Sequence, residues 1–266
     1  MSIKKIGEIK SEFENLLSSC KKFPLTEVDL FIETYQIDER SGVQKIVQTA
    51  LKQKEKYLAE LIRTENLKKY EKENAQYSYI CGIDEVGRGP LAGPVVASAV
   101  ILPKDCDILY INDSKKLTVA KREALYEEIM EKAVAVGIGF VSPQRIDEIN
   151  ILQATYEAMR EAISKLNPQP DLLLNDAVTI PNVSIKQVPI IKGDAKSISI
   201  GAASIIAKVT RDRLMQEYDK MFPEYGFASN KGYGSTEHIK AIQTYGATPI
   251  HRKTFIKNFI TDSSNE

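Results

Sequence analysis

The sequence carries no net charge, three cysteines, two histidines and no long apolar run. Its 36 basic and 36 acidic residues cancel, which excludes a histone-like protein that wraps polyanions by bulk charge. No stretch approaches the ~18 consecutive apolar residues of a membrane-spanning helix. Met1-Ser2-Ile3-Lys4-Lys5 leads into polar sequence without the apolar core of a secretory leader, so secretion is not expected. Cys20, Cys81 and Cys106 are odd in number and share no metal-ligand spacing. Neither a disulfide framework nor a zinc cluster is expected, and a reducing cytoplasm is the expected setting. What is present is apolar mass. With 43% hydrophobic and 27% charged residues in 266, the chain can build a full core as one large domain, or one with an accessory piece.

The zero average hides an asymmetry. Between Lys192 and Lys257 basic residues outnumber acids by five, and both histidines, His238 and His251, fall there. Such a C-terminal third suits a phosphate-bearing partner or, equally, a solvated helical face.

Up to about residue 76 the chain reads as helical and polar. Val43, Ile46, Val47, Ala50, Leu51, Tyr57, Leu58, Leu61 and Ile62 recur in the three-and-four steps of an amphipathic helix. Composition changes near Tyr77, where an apolar, β-prone run begins. We place a domain boundary there, with a helical accessory region over 1–76, a main domain over 77–260 and a disordered tail over 261–266. Strands are expected at Tyr77–Ile83, Pro94–Leu102, Val134–Val141, Leu172–Leu174 and Val188–Ile191. Helices are expected after Thr118, from about Gln144 to Leu166, from Ser197 to Met221, and from Thr236 to Tyr245. Three strands followed by strands alternating with helices imply an α/β fold, a mixed sheet covered by helices.

Four carboxylates sit at strand ends. Asp84 and Glu85 close the first strand, Asp176 follows Leu172-Leu173-Leu174, and Asp194 follows Ile190-Ile191-Lys192-Gly193. An acid there is costly unless solvated, paired or bound to a cation. Several on neighbouring strands of one sheet would converge, and their repulsion calls for a metal ion. Oxygen ligands without His or Cys point to magnesium or manganese rather than zinc. Two such ions ~4 Å apart can activate water and stabilise a leaving phosphodiester oxygen. The plainer reading, acids that merely cap or turn the chain, stays open on spacing alone.

The run Gly87-Arg88-Gly89-Pro90-Leu91-Ala92-Gly93 is not a dinucleotide loop, because it contains Pro90 and feeds a strand rather than a helix. It is either a loop whose bare backbone approaches a ligand beside the acids, or a sharp turn between antiparallel strands. Ser199 to Lys208 is helical and rich in small residues, which suits close helix-to-sheet packing. Asn230-Lys231-Gly232-Tyr233-Gly234-Ser235 sets an aromatic ring in a basic loop, fit to stack on a base or sugar or simply to pack. His251-Arg252-Lys253 reads as a basic tail element.

Taken together, Gly82-Ile83-Asp84-Glu85-Val86-Gly87-Arg88-Gly89-Pro90-Leu91-Ala92-Gly93-Pro94-Val95-Val96 resembles the opening motif of bacterial ribonuclease HII. Asp113 to Leu117, Lys192 to Ala195, Ala202 to Arg213, Tyr225 to Phe227, Asn230 to Gly234 and His251-Arg252 resemble its further blocks in the right order, so the likeness runs from about Ser78 to Lys257. Asp38 to Gln44 is similar to an element in the extension that some bacterial members carry. The resemblance implies a ribonuclease H-like fold, a five-stranded mixed sheet with helices on both faces and a C-terminal helical segment. It implies a cytoplasmic monomer that cleaves the RNA strand of RNA–DNA hybrids and incises 5′ to single ribonucleotides embedded in duplex DNA, using two magnesium or manganese ions and no membrane. By position it makes Asp84, Glu85, Asp176 and Asp194 the catalytic, metal-holding acids. It makes Gly87, Arg88 and Gly89 the loop that reads the ribose 2′-hydroxyl through its backbone, and Tyr233 the ring at the RNA–DNA junction. Lys115, Ser204 and Lys208 match substrate-binding positions. Asn175 stands before Asp176 where an apolar residue is usual, Gly201 where alanine is commoner, and Ser235 where threonine is usual. A nucleic-acid-binding module without catalysis is the alternative of another class, and the intact acids weigh against it. The sister ribonuclease HIII family is less similar, having a sheet-containing N-terminal domain and typically glutamate at the position of Asp194.

Overall fold

The computed structural model describes residues 4–18 and 22–260, so Cys20, the first three residues of the N-terminal reading and the tail expected at 261–266 lie outside the described residues. The chain divides into two compact units, residues 1–65 and 66–266.

In the first unit, α1 (Ile6–Ser18), α2 (Leu25–Tyr35) and most of α3 (Ser41–Leu67) bury one apolar face each. Ile9, Phe13, Val28, Phe31, Val43, Val47 and Ala50 form the shared core. The stripe expected from Val43 is helical throughout, but only its first turns are buried. Leu58, Leu61 and Ile62 are exposed. Asp38 and Arg40 form a tight pair ahead of α3, with the Arg40 Nη2 atom 2.6 Å from Asp38 Oδ2.

The composition break near Tyr77 marks the change from helix to sheet, whereas packing divides the chain earlier, for a physical reason. Leu67 and the side chains of Tyr70 and Tyr77 pack into apolar clusters of the second unit. Glu71, on the short α4 (Lys69–Glu73), accepts hydrogen bonds from Ser197 Oγ at 2.6 Å and from the Ser199 N–H at 3.1 Å. The Ser199 N–H is an orphan donor at the start of a long helix, and Ser197 is its cap, a place where a carboxylate is electrostatically favoured.

The second unit is built on one sheet. Its strands are β1 (Ile80–Val86), β2 (Val95–Ile101), β3 (Ala135–Val141), β4 (Leu172–Asp176) and β5 (Lys186–Ile190), in the order β3-β2-β1-β4-β5. β1 and β3 run antiparallel to β2, while β1, β4 and β5 are parallel. β1 thus runs through Asp84 and Glu85 rather than stopping before them. β2 is buried at every position, as its unbroken apolar sequence requires of a strand covered on both faces.

Alternation along the strands divides the core. Ile83, Ala97, Ala99 and Ile101 face α6 (Pro143–Ser164). Val100 faces α5 (Val119–Lys132) and α7 (Ile198–Met221), together with Leu125, Ile129, Ala203 and Ile206. The small residues at the start of α7 do let it press on the sheet. A Cβ on Gly82 would lie 2.0 Å from the backbone of Ser199. Thr118 caps α5 as expected, its hydroxyl accepting from the Lys121 N–H. The helix expected from Gln144 to Leu166 is two helical pieces kinked at Asn150, whose φ is 66°. The Asn150 carboxamide oxygen accepts from the N–H groups of Leu152 and Gln153 and so caps the second piece. The short α8 (Phe227–Asn230), α9 (Thr236–Tyr245) and α10 (Lys253–Ile256) complete the unit around Tyr225, Phe227, Ile242 and Ile256.

Candidate active site

Because β1, β4 and β5 are parallel and adjacent, their C-terminal ends share one edge of the sheet, the usual place for a site in such sheets. That edge carries all four acids. Asp84 and Glu85 lie just before the end of β1, Asp176 ends β4, and Asp194 sits in the single 3-10 turn Gly193–Ala195 that follows β5. Lys192, at φ 59°, turns the chain into that 3-10 segment.

The acids perturb one another. Burial holds the Asp84 carboxyl well above its ordinary pKa, and the charges of Glu85 and Asp176 push the same way, while a hydrogen bond with Ser204 opposes them. Burial also raises Glu85, with Arg88 opposing and Asp176 adding to the rise. Asp194 is raised by burial, then by the charges of Asp113 and Asp176, with Lys115 opposing. Asp176 therefore acts on each of the other three. Its own Oδ1 accepts from the Gly193 N–H at 2.7 Å, tying the end of β4 to the turn that carries Asp194.

Asp84, Glu85 and Asp194, whose charged forms are disfavoured by burial and by neighbouring acids, make with Asp176 a hard-oxygen donor set that a divalent cation would complement. The donor chemistry fits. As the side chains stand, no three His, Cys, Asp or Glu among the described residues meet at coordinating distance. Asp84 Oδ1 accepts from the Glu85 N–H at 2.8 Å and Asp176 Oδ1 from the Gly193 N–H at 2.7 Å, which fixes how these two carboxylates stand and leaves the second oxygen of each for a cation.

A cleft of about 360 Å³ opens beside the acids and joins six of the residues singled out in the sequence: Asp84, Glu85, Lys115, Ser204, Lys208 and Tyr233. Asp176, Asp194 and the three loop residues Gly87, Arg88 and Gly89 are not among its lining residues, although Arg88 Nη1 lies 3.3 Å from Glu85 Oε1. The cleft also contains Ser114, which the sequence placed in a motif block without a site role, and Arg122, which it did not single out. Arg122 is largely buried and gives its Nη1 hydrogen to the Ser114 carbonyl at 2.5 Å, which fixes the turn bearing Lys115. Ser114 Oγ lies 3.0 Å from Ser204 Oγ. Lys208 Nζ is 2.7 Å from Asp212 Oδ1, one turn along α7. Asp113, which the sequence placed in a motif block without a site role, accepts from the Lys115 N–H and faces Asp194 electrostatically. No spacing rule marks Arg122 or Asp113, because both act across the fold rather than along an element.

The glycine-rich run connects the antiparallel strands β1 and β2, the plainer of the two things the sequence allowed. Gly87 sits at φ 88°, and a Cβ there would strike Arg211 Nε at 2.3 Å. A Cβ on Gly89 would lie 3.7 Å from the Tyr233 ring, so loop and ring are neighbours. The N–H groups of Leu91 and Ala92 donate to the Gly232 carbonyl, and the Gly93 N–H donates to that of Ile250.

Two expectations need correction. His251 and Arg252 are not a basic tail, since both are buried, Arg252 completely. Much of the basic excess in the C-terminal third is likewise inward or paired. Arg211 is fully buried, and Arg213 bonds Glu123 and Glu127. The histidines form a relay whose tautomers follow from their partners. The Thr248 N–H donates to His251 Nδ1, so neutral His251 carries its proton on Nε2 and donates to His238 Nε2, 3.0 Å away. His238 Nδ1–H then donates to the Tyr233 carbonyl at 2.8 Å.

The departures at Asn175 and Gly201 also find reasons. Asn175 is fully buried, and its amide nitrogen donates to Gln187 Oε1 at 2.7 Å and to the Val178 carbonyl, bracing the exit from β4. Gly201 lies in the first turns of α7, where a Cβ would press on Ile111 at 2.7 Å.

A mixed five-stranded sheet flanked by helices, with acids at the shared edge of its parallel strands, defines an enzyme of the ribonuclease H fold. Known proteins agree. The family model for ribonuclease HII matches residues 81–258, and that for the ribonuclease HII N-terminal domain matches residues 5–75. A ribonuclease HII of Lachnoclostridium phytofermentans is 69% identical over 226 residues, covering 85% of this chain and 89% of that one. One of Clostridioides difficile is 51% identical over 262 residues, covering 98% of this chain and 100% of that one. The ribonuclease H2 of Pyrococcus horikoshii superposes with a TM-score of 0.59 at 29% identity, over 68% of this chain and 97% of that one. A Bst ribonuclease HIII, at 16% identity and a TM-score of 0.55, shares the fold alone. The chain belongs to the ribonuclease HII family, and is a ribonuclease H enzyme, an endoribonuclease of RNA–DNA hybrids.

Proposed function

We propose that this enzyme incises duplex DNA 5′ to single embedded ribonucleotides as well as cutting hybrids, with Asp84, Glu85, Asp176 and Asp194 holding two magnesium or manganese ions. The observation that carries the reading is the action of Asp176 on all three other acids from the shared edge of β1, β4 and β5. When bound, the ions supply an activated water and stabilisation of the leaving oxygen. The protein's own residues do the rest. Lys115 and Lys208 present positive charge along the cleft for the substrate phosphates, and Ser204 offers a hydroxyl beside Asp84. The backbone of Gly87, Arg88 and Gly89 reads the 2′-hydroxyl, the group only RNA offers. Tyr233, exposed beside Gly89, lies against the sugar that follows the ribonucleotide.

Among the described residues no helix is long and apolar enough to cross a membrane, and we infer a cytoplasmic monomer acting on ribonucleotide-containing duplex. The test uses a duplex with one embedded ribonucleotide, the cut mapped in magnesium and in manganese. A single 5′ incision ending in a 3′-hydroxyl and a 5′-phosphate supports the reading. An uncut duplex, alongside cleavage of a continuous hybrid, would overturn it.

A further inference from the structure

Two guanidinium groups in the core have no carboxylate at ion-pair distance among the described residues, and both give their donors to the backbone around one loop. Arg211 and Arg252 are each fully buried. Arg211 donates to the carbonyls of Pro94, Lys231 and Ala92 at 2.8–3.0 Å. Arg252 donates from Nε and Nη2 to Gly93, from Nη1 to Arg88 at 2.8 Å, and from Nη2 to Gly87 at 2.5 Å. A planar fork can hold several carbonyls in this way, whereas an ammonium is a single point.

The consequence lies in the peptide units. A trans unit is planar, so its N–H points away from its C=O. The Gly87 carbonyl shares a unit with the Arg88 N–H, and the Arg88 carbonyl shares one with the Gly89 N–H. Drawing both carbonyls inward turns both N–H groups outward, where no protein acceptor among the described residues meets them. The Tyr233 ring is a neighbour of this loop, 3.7 Å from where a Cβ on Gly89 would stand. A cation at the carbonyl end also polarises each unit and strengthens its N–H as a donor.

We propose that Arg252 is the positioning residue for ribose recognition, aiming and polarising the N–H groups of Arg88 and Gly89 as the donors that read the 2′-hydroxyl. The proposal rests on the loop reading above and extends it to the buried cation behind the loop. Arg211 supplies the control, since it shares the burial and charge of Arg252 but binds other carbonyls.

Affinities are compared for two duplexes identical but for one ribonucleotide, by fluorescence anisotropy in EDTA, which stops turnover. Wild type binds the ribonucleotide duplex more tightly. In Arg252→Lys that affinity falls about tenfold or more while the all-DNA affinity stays within about twofold, so the preference collapses. Arg211→Lys keeps the preference. If Arg252→Lys also keeps it, the proposal is overturned and the loop reading stands. If wild type shows no preference, the loop reading itself fails. A second measurement needs no variant and so does not depend on whether the lysine form folds. In unliganded wild type the Arg88 and Gly89 amides exchange with solvent without protection, and they become protected on the ribonucleotide duplex but not on all-DNA. Strong protection in the free protein would place these N–H groups inward and overturn the proposal.

Discussion

Asp84, the first of the acids we propose as metal ligands, shows what a buried carboxyl costs a fold. It is buried, raised in pKa by burial and by Glu85 and Asp176, and it offers its charge to the cleft. A carboxyl raised in the folded state destabilises wherever it must ionise, so its cost begins above the unfolded value of 3.8 and grows as pH rises through the folded one. Asp84→Asn removes that cost. Urea melts should show the variant equal to or more stable than wild type at pH 7, with the gain shrinking toward pH 4, while cleavage falls by about a thousandfold or more. A variant destabilised equally at both pH values would show that Asp84 serves structure instead.

Tyr233 works at the same scale in another way. Stacking is worth roughly 1–3 kcal/mol per contact, whereas duplex affinity comes mainly from phosphate contacts. Tyr233→Ala should depress cleavage at a single embedded ribonucleotide far more than it weakens duplex binding. Rates on junction and all-RNA-strand substrates should also draw together. Equal losses on both substrates, with binding falling in step, would make Tyr233 a packing residue.

At the scale of elements, the strands and the long helices were readable because their signals are local. The apolar runs of β2 and β4, the three-and-four stripe of α3 and the Thr118 cap each lie within one segment. What escaped acts across segments. The inward turn of Arg252 and the capping of α7 by Glu71 depend on partners far away in sequence. The Glu71 contact yields a prediction. A chain beginning at residue 66 should fold stably. One beginning at 77 loses Leu67, Tyr70 and Glu71, and should be weaker by several kcal/mol, about 2 for the leucine and about 1–2 for the cap. Coincident denaturation curves for the two truncations would refute that role.

The histidine relay is an element-level device too. Burial and its neighbour His238 pull His251 from 6.5 down to about 4, so the fold accepts only its neutral form. Stability from this site is full above about pH 6.5 and declines by up to about 3 kcal/mol as pH falls through 4. His251→Gln should flatten that acid limb in equilibrium melts. An unchanged limb would place the acid sensitivity elsewhere.

At the scale of the whole molecule, the four acids lie as far apart as Asp84 and Asp194 in sequence, and only strand order brings them to one edge. The motif at β1 was readable residue by residue. Asp176 was readable as a strand-end acid after Leu172-Leu173-Leu174, but its metal-holding role followed from resemblance, and Asn175 before it departs from the apolar residue usual there. The structure supplies the missing reason, a buried amide bracing the exit from β4. Asp176 is therefore where the account is most exposed. The most direct test is the single-turnover rate of Asp176→Asn on a duplex carrying one embedded ribonucleotide, at saturating magnesium. The account predicts a fall of about a thousandfold or more with duplex affinity held within about threefold. A rate near wild type would contradict it, because the edge shared by β1, β4 and β5 would then not be where the metal ions are held.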